Sequence, residues 1–546
     1  MSQPTISLCM IVKNEESHLP RCLGSIRGAV DEIIVVDTGS HDNTVKIADS
    51  FGAKILSLPW SGDFSFCRNA GLAAARGTWI LILDADEELD ENGQEELRLC
   101  STHLEYDGFF LQIHNHAGES RQSATATINP ILRMFRNRPE HRFRGKIHEQ
   151  IAYAITERNP QAALHLSSVK IHHYGYAHDI VVKRDKIQRN LQLLAQELRD
   201  RPNDPFHHYN IAVEYMRMND FKQALEHLRT SIALTVPEIS YAHLLHKYEA
   251  RCLLQLGEHQ EAAQVCDRAI SLFPDYTDLY HVKGAIHLAA GAKSQALAAF
   301  LQAVEQGPAP ALYHTEPGMG TFLSAYALGR LFEESGDDAN AVHWYTEAVK
   351  QNSNRLQPLM RIFRIFKTLG MEQDIPRLLS ERFRLSSPET LVNIVNALLE
   401  DSCFQAASAL LSQLDEEEYE CFRSSAMRKC ELWSGKTPAA AAAMAASGKG
   451  PIAESSATGP SARIDERELA IKSAYFNHRA DQALELIGLW RQNKQADADS
   501  TAYEAYRKSR TLIALADAQL GRHKSASPHY SLIRLARQSL PLARSL

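Results

Sequence analysis

The stretch Gly77-Thr-Trp-Ile-Leu-Ile-Leu-Asp-Ala-Asp86 is an apolar strand that ends in two carboxylates separated by one residue. With that spacing both carboxylates can point from the strand end towards one Mg²⁺ or Mn²⁺ ion and the phosphates it holds, which offsets the cost of clustering negative charge. The alternative is that Asp84 to Glu88 is an acidic turn capping a following helix. The surrounding sequence has to decide between them.

Outward from this strand, up to about residue 180, short β-branched runs alternate with helical patterns. Ile6 to Val12, Glu32 to Val36, Lys54 to Leu58, Trp79 to Leu83 and Gly108 to Ile113 read as strands. Glu15 to Ile26, Asn43 to Phe51 and Ser65 to Ala75 carry apolar residues at helical spacing, with Asp42 as the expected cap of the second. Such alternation predicts an α/β fold whose first strands are parallel. Ligands of a sheet of this kind collect at the carboxyl ends of the strands, where this chain is polar.

Beyond about residue 180 the strand signal ends and a repeat takes over. Gly257-Glu-His-Gln-Glu-Ala262 and Gly291-Ala-Lys-Ser-Gln-Ala296 place matching alanines 34 residues apart, with Cys266 and Phe300, Ala269 and Ala303, and Pro274 and Pro308 in step. A third copy has Gly336, Ala341, Tyr345 and Ala348, displaced by an insertion around Ala309 to Gly320. A fourth, earlier one has Ala224, Leu228 and Ser231. Small residues let paired helices approach and larger ones fill the grooves between neighbours. Over roughly Asn203 to Arg355 the chain resembles the tetratricopeptide repeat family. Leu356 to Leu546 reads as degenerate helix pairs, such as Thr390 to Leu414 and Ala480 to Arg491. Thr437 to Arg463, rich in Ala, Ser, Gly and Pro, has the composition of a flexible linker or surface loop. The expected domains are therefore 1–180 (α/β), 181–355 (tetratricopeptide repeats) and 356–546 (degenerate repeats with a flexible segment at 437–463).

Composition bounds the function classes. The 546 residues carry a formal net charge of -7, which gives no bulk attraction for nucleic acid or anionic lipid. Nine cysteines without a CxxC pair point to reduced thiols in a cytoplasm. Ile6 to Val12 is met at once by Lys13, Asn14 and Glu15, unlike an export signal. The small-apolar run Ala439 to Ala446 falls short of a membrane span, so any membrane association is expected to be peripheral.

Four ordered blocks carry a more specific resemblance. They are Cys9-Met-Ile-Val-Lys-Asn-Glu15, Glu32-Ile-Ile-Val-Val-Asp-Thr-Gly-Ser-His-Asp-Asn-Thr44, Asp63-Phe-Ser-Phe-Cys-Arg-Asn-Ala-Gly71 and Gly77 to Asp86. Together they resemble glycosyltransferase family 2, which has the GT-A (nucleotide-diphospho-sugar transferase) fold. The likeness extends through Arg133-Met-Phe-Arg136, Ile147-His-Glu149 and His173-Tyr-Gly-Tyr176 to the bacterial branch fused to tetratricopeptide repeats, such as the peptide S-glycosyltransferases that modify bacteriocins.

The resemblance implies a metal-dependent inverting transferase with a nucleotide-sugar donor, UDP being the family-level expectation. It places the nucleotide against Val12, Asn14, Glu15 and Asp37. Asp37 accepts from a base or ribose on this view, or simply stabilises the turn Thr38-Gly39-Ser40. Arg68 suits bidentate phosphate contact, with pairing to Asp63 as the alternative. Asp84 faces the ribose or the metal, Asp86 ligates the metal, and His173 joins it in preference to His172. Glu149 is the candidate base that takes the acceptor's proton. Its alternative is a surface pair with Lys146 or Arg144, and Glu87 and Glu88 are reserves. Trp60 and Trp79 are assigned to the core rather than to stacking on a sugar.

The expected partner is a protein or peptide acceptor recruited by the repeats, whose stacked helices present a concave surface suited to a polypeptide. A lipopolysaccharide core or another surface glycan is the rival acceptor. A non-catalytic tetratricopeptide scaffold with a nucleotide-binding domain is the rival class. A nucleotidyltransferase is disfavoured because no glycine-rich phosphate loop with a basic residue lies near the first strand. Acceptor atom, sugar identity and self-association stay open.

Overall fold

The computed structural model describes residues 3–116, 125–174, 180–353, 355–383, 387–414 and 419–433. The segment Thr437 to Arg463, the helix Ala480 to Arg491, and Gly175 and Tyr176 lie outside the described residues. The chain divides into two compact units, Met1–Leu331 and Phe332–Leu546.

The first unit opens with an α/β domain of the elements β1 (Ile6–Val12), α1 (Leu19–Ser25), β2 (Glu32–Asp37), α2 (Thr44–Ser50), β3 (Lys54–Ser57), α3 (Phe64–Ala74), β4 (Trp79–Ile82), β5 (Glu87–Leu89), α4 (Gly93–Thr102), β6 (Gly108–His116), β7 (Thr125–Arg136), α5 (Ala152–Arg158) and β8 (Leu164–Tyr174). The eight strands form one sheet in the order β3-β2-β1-β4-β7-β6-β8-β5. β1 pairs in parallel with β2 and β4, and β2 with β3, as helical crossovers require. β7 then pairs antiparallel with β4 and β6, and β5 antiparallel with β8.

Period-two alternation sends β1 to two cores. Leu8, Met10 and Val12 pack with Leu19 and Leu23 of α1, whereas Cys9 joins Leu72 of α3, Ile80, Ile82 and Phe135 on the other face. Trp79 is fully buried and donates from its indole to the Ser101 carbonyl, a core role. Trp60 packs edge-on against Phe64.

Local details differ from the sequence reading. The first helix starts at Leu19 rather than Glu15, because Glu15 is held in the preceding loop by Thr44. The cap position of α2 is Asn43, although the Asp42 carboxylate still accepts from the Thr44 N–H. After Asp84 comes no capped helix but the short strand β5, tied to Asp84 by the Glu87 N–H.

The same unit continues as a solenoid: α6 (Ile180–Asp200), α7 (Pro205–Arg217), α8 (Phe221–Leu234), α9 (Ala242–Leu256), α10 (His259–Leu272), α11 (Thr277–Ala289) and α12 (Lys293–Gln306). The repeat positions read from the sequence are the packing positions. Ala224, Leu228 and Ser231 of α8, Ala262, Cys266 and Ala269 of α10, and Ala296, Phe300 and Ala303 of α12 are all buried. α13 (Phe322–Ser335) contains the boundary between the units.

The second unit holds α14 (Asp338–Gln351), α15 (Gln357–Thr368), α16 (Ile375–Arg382), α17 (Pro388–Glu400), α18 (Phe404–Leu411) and α19 (Glu420–Trp433). Ala341, Tyr345 and Ala348 are buried along α14, and Ile362, Leu379, Leu398 and Leu410 are the kind of apolar side chains that close its core. No helix among the described residues is long and apolar enough to cross a membrane.

Candidate active site at the strand ends

The loops after β1 and β2 are laced together. Asn14, at a φ of 56° that asparagine tolerates better than most residues, donates its N–H to Ser40 Oγ and accepts the His41 N–H on its side chain. The Val12 carbonyl accepts both the N–H and hydroxyl of Thr38. Asp37 is buried and accepts from the Gly39 and Ser40 N–H groups, so it performs the turn role. Glu15 faces His18 across 3.2 Å. These four residues therefore build a rim at the carboxyl ends of β1 and β2.

At the end of β4 the charges are concentrated. Asp63 caps α3 by accepting the Phe66 N–H, which leaves Arg68, one turn into that helix, to reach across the strand ends. Arg68 pairs with Asp84 at 2.9 Å and, through Nε, with Glu149. Asp84 also meets Arg133 of β7 at 3.2 Å, and Arg133 in turn pairs with Glu87 at 2.6 Å. Burial works against the Asp84 charge, but the guanidiniums of Arg68 and Arg133 overcome it and hold this carboxyl well below the usual range. Glu87 goes the other way. Its burial outweighs the charge of Arg133, and Asp84 adds repulsion, so its carboxyl is pushed up to about 7.

This geometry redistributes the expected roles. Arg68 pairs with Asp84 and Glu149 instead of Asp63, and Glu149 pairs with Arg68 instead of its sequence neighbours. Arg144 is taken by Glu157 and Lys146 faces Glu197. The reserves are spent: Glu87 on Arg133 and the Asp84 N–H, Glu88 on the Tyr174 hydroxyl and Arg21. Both Asp84 oxygens accept from guanidiniums, so this residue orients Arg68 and Arg133.

Asp86 and His173, 87 positions apart, meet at 3.2 Å between Oδ2 and Nε2. Burial disfavours a charged His173, but Asp86 and the acidic groups behind it raise its pKa above the ordinary value. The Asn115 side chain donates to Thr127 Oγ1, so its oxygen accepts from His173 Nδ1 at 2.7 Å. Nδ1 of His173 thereby carries a proton, and Nε2 faces Asp86. His172 points elsewhere, to Asp90 and His116.

Among the described residues, no three His, Cys, Asp or Glu side chains gather as a ready ion cage. The donor chemistry of the Asp86–His173 pair still fits Mg²⁺ or Mn²⁺, which keep several water or phosphate oxygens beside one or two protein ligands. Arg68 Nη1 is buried without a hydrogen-bond partner, a donor that a phosphate oxygen would satisfy.

Sequence reasoning quoted Arg133 within a block but gave it no role, and it missed Asn115 and the mounting of the Glu149 loop. An arginine inside the apolar run Pro130-Ile-Leu-Arg-Met-Phe135 was the available signal for the first. The third had none in the local pattern. Ile147 packs with Leu194 of α6 and Ile211 of α7, and Phe64 of α3 closes the cluster. Phe64 N–H donates to the Lys146 carbonyl and Ser65 Oγ to that of Gly145. His148, at a φ of 52°, is pushed down in pKa by burial. A cavity of about 330 Å³ lies behind α4 and β8, lined by Leu99, Cys100, His103, Tyr106 and His165, and none of the candidate residues lines it.

Comparison with known proteins adds the following. Residues 7–156 match the model of Glycosyl transferase family 2, and 209–277 and 253–315 match two Tetratricopeptide repeat models. A TPR repeat-containing protein of Synechococcus elongatus is 35% identical over 308 residues, spanning 54% of this chain and 75% of the relative. The SPbeta prophage-derived glycosyltransferase SunS of Bacillus subtilis is 26% identical over 289 residues, 52% of this chain and 67% of the relative. The crystal structure of S. aureus TarS 1-349 in complex with UDP-GlcNAc overlaps 46% of this chain and 89% of its own at 15% identity and a TM-score of 0.30, a slight likeness.

Proposed function

We propose that this chain, which belongs to the family 2 glycosyltransferases and carries tetratricopeptide repeats, transfers a sugar from a nucleoside diphosphate donor to a polypeptide with inversion at the anomeric carbon. The observation that carries the reading is the meeting of Asp86 with His173 at 3.2 Å beside the ion-paired cluster Arg68, Asp84 and Glu149. When bound, a divalent cation there neutralises charge on the donor's diphosphate.

The chain's own residues do the rest. Arg68, oriented by Asp84, offers Nη1 to a phosphate oxygen, and the rim from Val12 to Glu15 with Asp37 borders the nucleotide. Glu149 keeps one oxygen on Arg68 and presents the other to the acceptor. As the acceptor's nucleophile forms its bond to the anomeric carbon, the bond from that carbon to the diphosphate oxygen breaks. The nucleoside diphosphate leaves with that electron pair and Glu149 takes the acceptor's proton. A polypeptide acceptor is favoured by the repeats and by the resemblance to peptide-modifying transferases. It docks on solenoid surface other than that already filled by the chain itself.

The test is turnover of a panel of nucleotide sugars with Mn²⁺ and a candidate acceptor, compared with Asp86→Asn and Glu149→Gln. Each variant is expected to lose a factor on the order of 10² or more. Equal turnover in the native chain and both variants sinks the assignment.

A further inference from the structure

The insertion that displaces the third repeat is not a passive loop. It leaves and rejoins the solenoid at a pinch between Gly307 and Gly320. A Cβ on Gly320, at a φ of +77°, would lie 2.1 Å from the Gly307 carbonyl oxygen, so no other residue fits that closure.

Between these points the segment Tyr313 to Glu316 lies along α9 and α11 as an extended peptide. The Tyr313 ring packs against His243 and Tyr276, each at 4.9 Å between centroids. The His314 N–H donates to His243 Nε2 at 3.1 Å, and the Tyr276 hydroxyl donates to the His314 carbonyl at 2.8 Å. The Glu316 N–H donates to Asp278 at 3.2 Å. The Glu316 carboxylate meets Arg251 and lies 3.4 Å from Lys247, which is fully buried and pairs with Asp278 at 2.9 Å. Two cations and two carboxylates thus form a closed set, completed only when Glu316 is in place. A buried ammonium requires such partners.

His314 and Glu316 face the solenoid. Thr315, between them, faces the opposite way, as extended backbone dictates. Its N–H and carbonyl pair with the carbonyl and N–H of Ile128 at 3.0 and 2.9 Å, adding a rung to β7 on the side away from β6, where the β4 pairing does not reach. On its other side Ile128 is in register with His114, and Thr127 with Asn115, of β6. Asn115 donates to Thr127 Oγ1 and accepts from His173, which faces Asp86.

We propose that the repeat groove of α9 and α11 has the chain's own segment Tyr313 to Glu316 as its ligand, and that this internal peptide splints β7 so that Asn115 holds His173 in register with Asp86. Thr315 and Glu316 are positioning residues, distant from the reacting atoms. The repeats therefore complete the transferase site as well as offering surface to an acceptor. The role assigned to His173 rests on the cation reading given above, whereas the splint itself is metal-free.

The experiment uses the full chain and two readouts. Hydrogen exchange without metal follows peptides covering 309–320 and 125–136, and calorimetry follows Mn²⁺ with UDP. Glu316→Ala and Gly320→Ala are expected to speed exchange in both peptides and to weaken Mn²⁺·UDP binding about three-fold or more. Asn115→Ala is expected to weaken it about ten-fold, the scale of a lost outer-shell partner, while leaving exchange in 309–320 unchanged. Glu316→Gln, which keeps the shape and a donor-acceptor head, is expected to fall between. Parent-like exchange in 125–136 together with parent-like Mn²⁺·UDP affinity in the Glu316 and Gly320 variants overturns the splint. If either variant fails to fold, parent-like affinity in Asn115→Ala overturns the link from β6 to His173. Failure of the native chain to bind Mn²⁺·UDP overturns the cation reading, while the exchange data still decide the splint.

Discussion

The internal peptide should open on acidification, and the size of the effect follows from one imidazole. His243 is 3% exposed and accepts the His314 N–H on Nε2, so a proton on that nitrogen removes the acceptor. Burial, then the charge of Lys247, pushes its pKa down from 6.5 to about 3. A base with a depressed pKa contributes its stability above 6.5, where it is neutral in either state. That contribution drains away as the pH falls towards 3, because only the opened form takes the proton. Between pH 7.5 and pH 5 the opened form gains a factor of about thirty, or about 2 kcal/mol. His314 beside it, also pushed down to about 3, adds to the fall in the same sense, Asp278, whose carboxyl burial raises, works in the opposite sense in the native chain and the variant alike, and the phenols of Tyr276 and Tyr313 stay neutral throughout. The assay is hydrogen exchange of a peptide covering 309–320, corrected for intrinsic rates, in the native chain and in His243→Gln. Glutamine retains an acceptor and does not titrate, so the variant's loss of protection should be about thirty-fold smaller. A change below about three-fold in the native chain, or an equal fall in the variant, refutes the reasoning.

Two further outcomes follow from packing. Arg133→Met leaves Glu87 buried without its cation and should cost about 3–5 kcal/mol at pH 8 in urea unfolding, less at pH 6, where Glu87, pushed up to about 7, already carries a proton. A loss below 1 kcal/mol at both pH values (~1 kcal/mol being the ordinary scale of a point change) contradicts this. Gly284→Ala places a Cβ 2.7 Å from the Phe300 ring between α11 and α12 and should cost about 1–3 kcal/mol, with Phe300→Leu restoring part of it in the double variant. Additive losses would show that the two positions do not share the space.

The parallel half of the sheet was legible because β1, β2 and β4 are apolar runs set off by helical patterns. β7 was not. Pro130 within Thr125–Arg136 speaks against a strand, since proline lacks the ladder donor. The structure shows why it is tolerated. Ile128 directs its backbone groups outward to Thr315, and residue 130, two positions on, faces the same way, beyond the end of β4, whose pairing stops at Met134. The repeat register was legible from recurring small residues, which proved to be buried on α8, α10, α12 and α14. Individual site residues were legible as types but not as partners. Nothing local announces that Arg68 prefers Asp84 and Glu149 to Asp63, because pairing across the sheet is fixed by topology. Likewise the Asp37 carboxylate, open from sequence to two roles, is committed to its own turn by a two-residue reach that any folded neighbourhood would allow.

Ile147 reaches out of the loop that bears Glu149 and shares an oily seat with Leu194 and Ile211. For protein engineering this moves the seam. A module swap that severs the chain near residue 180 would strip that seat away and leave the loop to wander, however intact the upstream sheet. A transplant onto another helical array should carry α6 and α7 with the donor and make its cut after Arg217, so that the graft brings its own foundation.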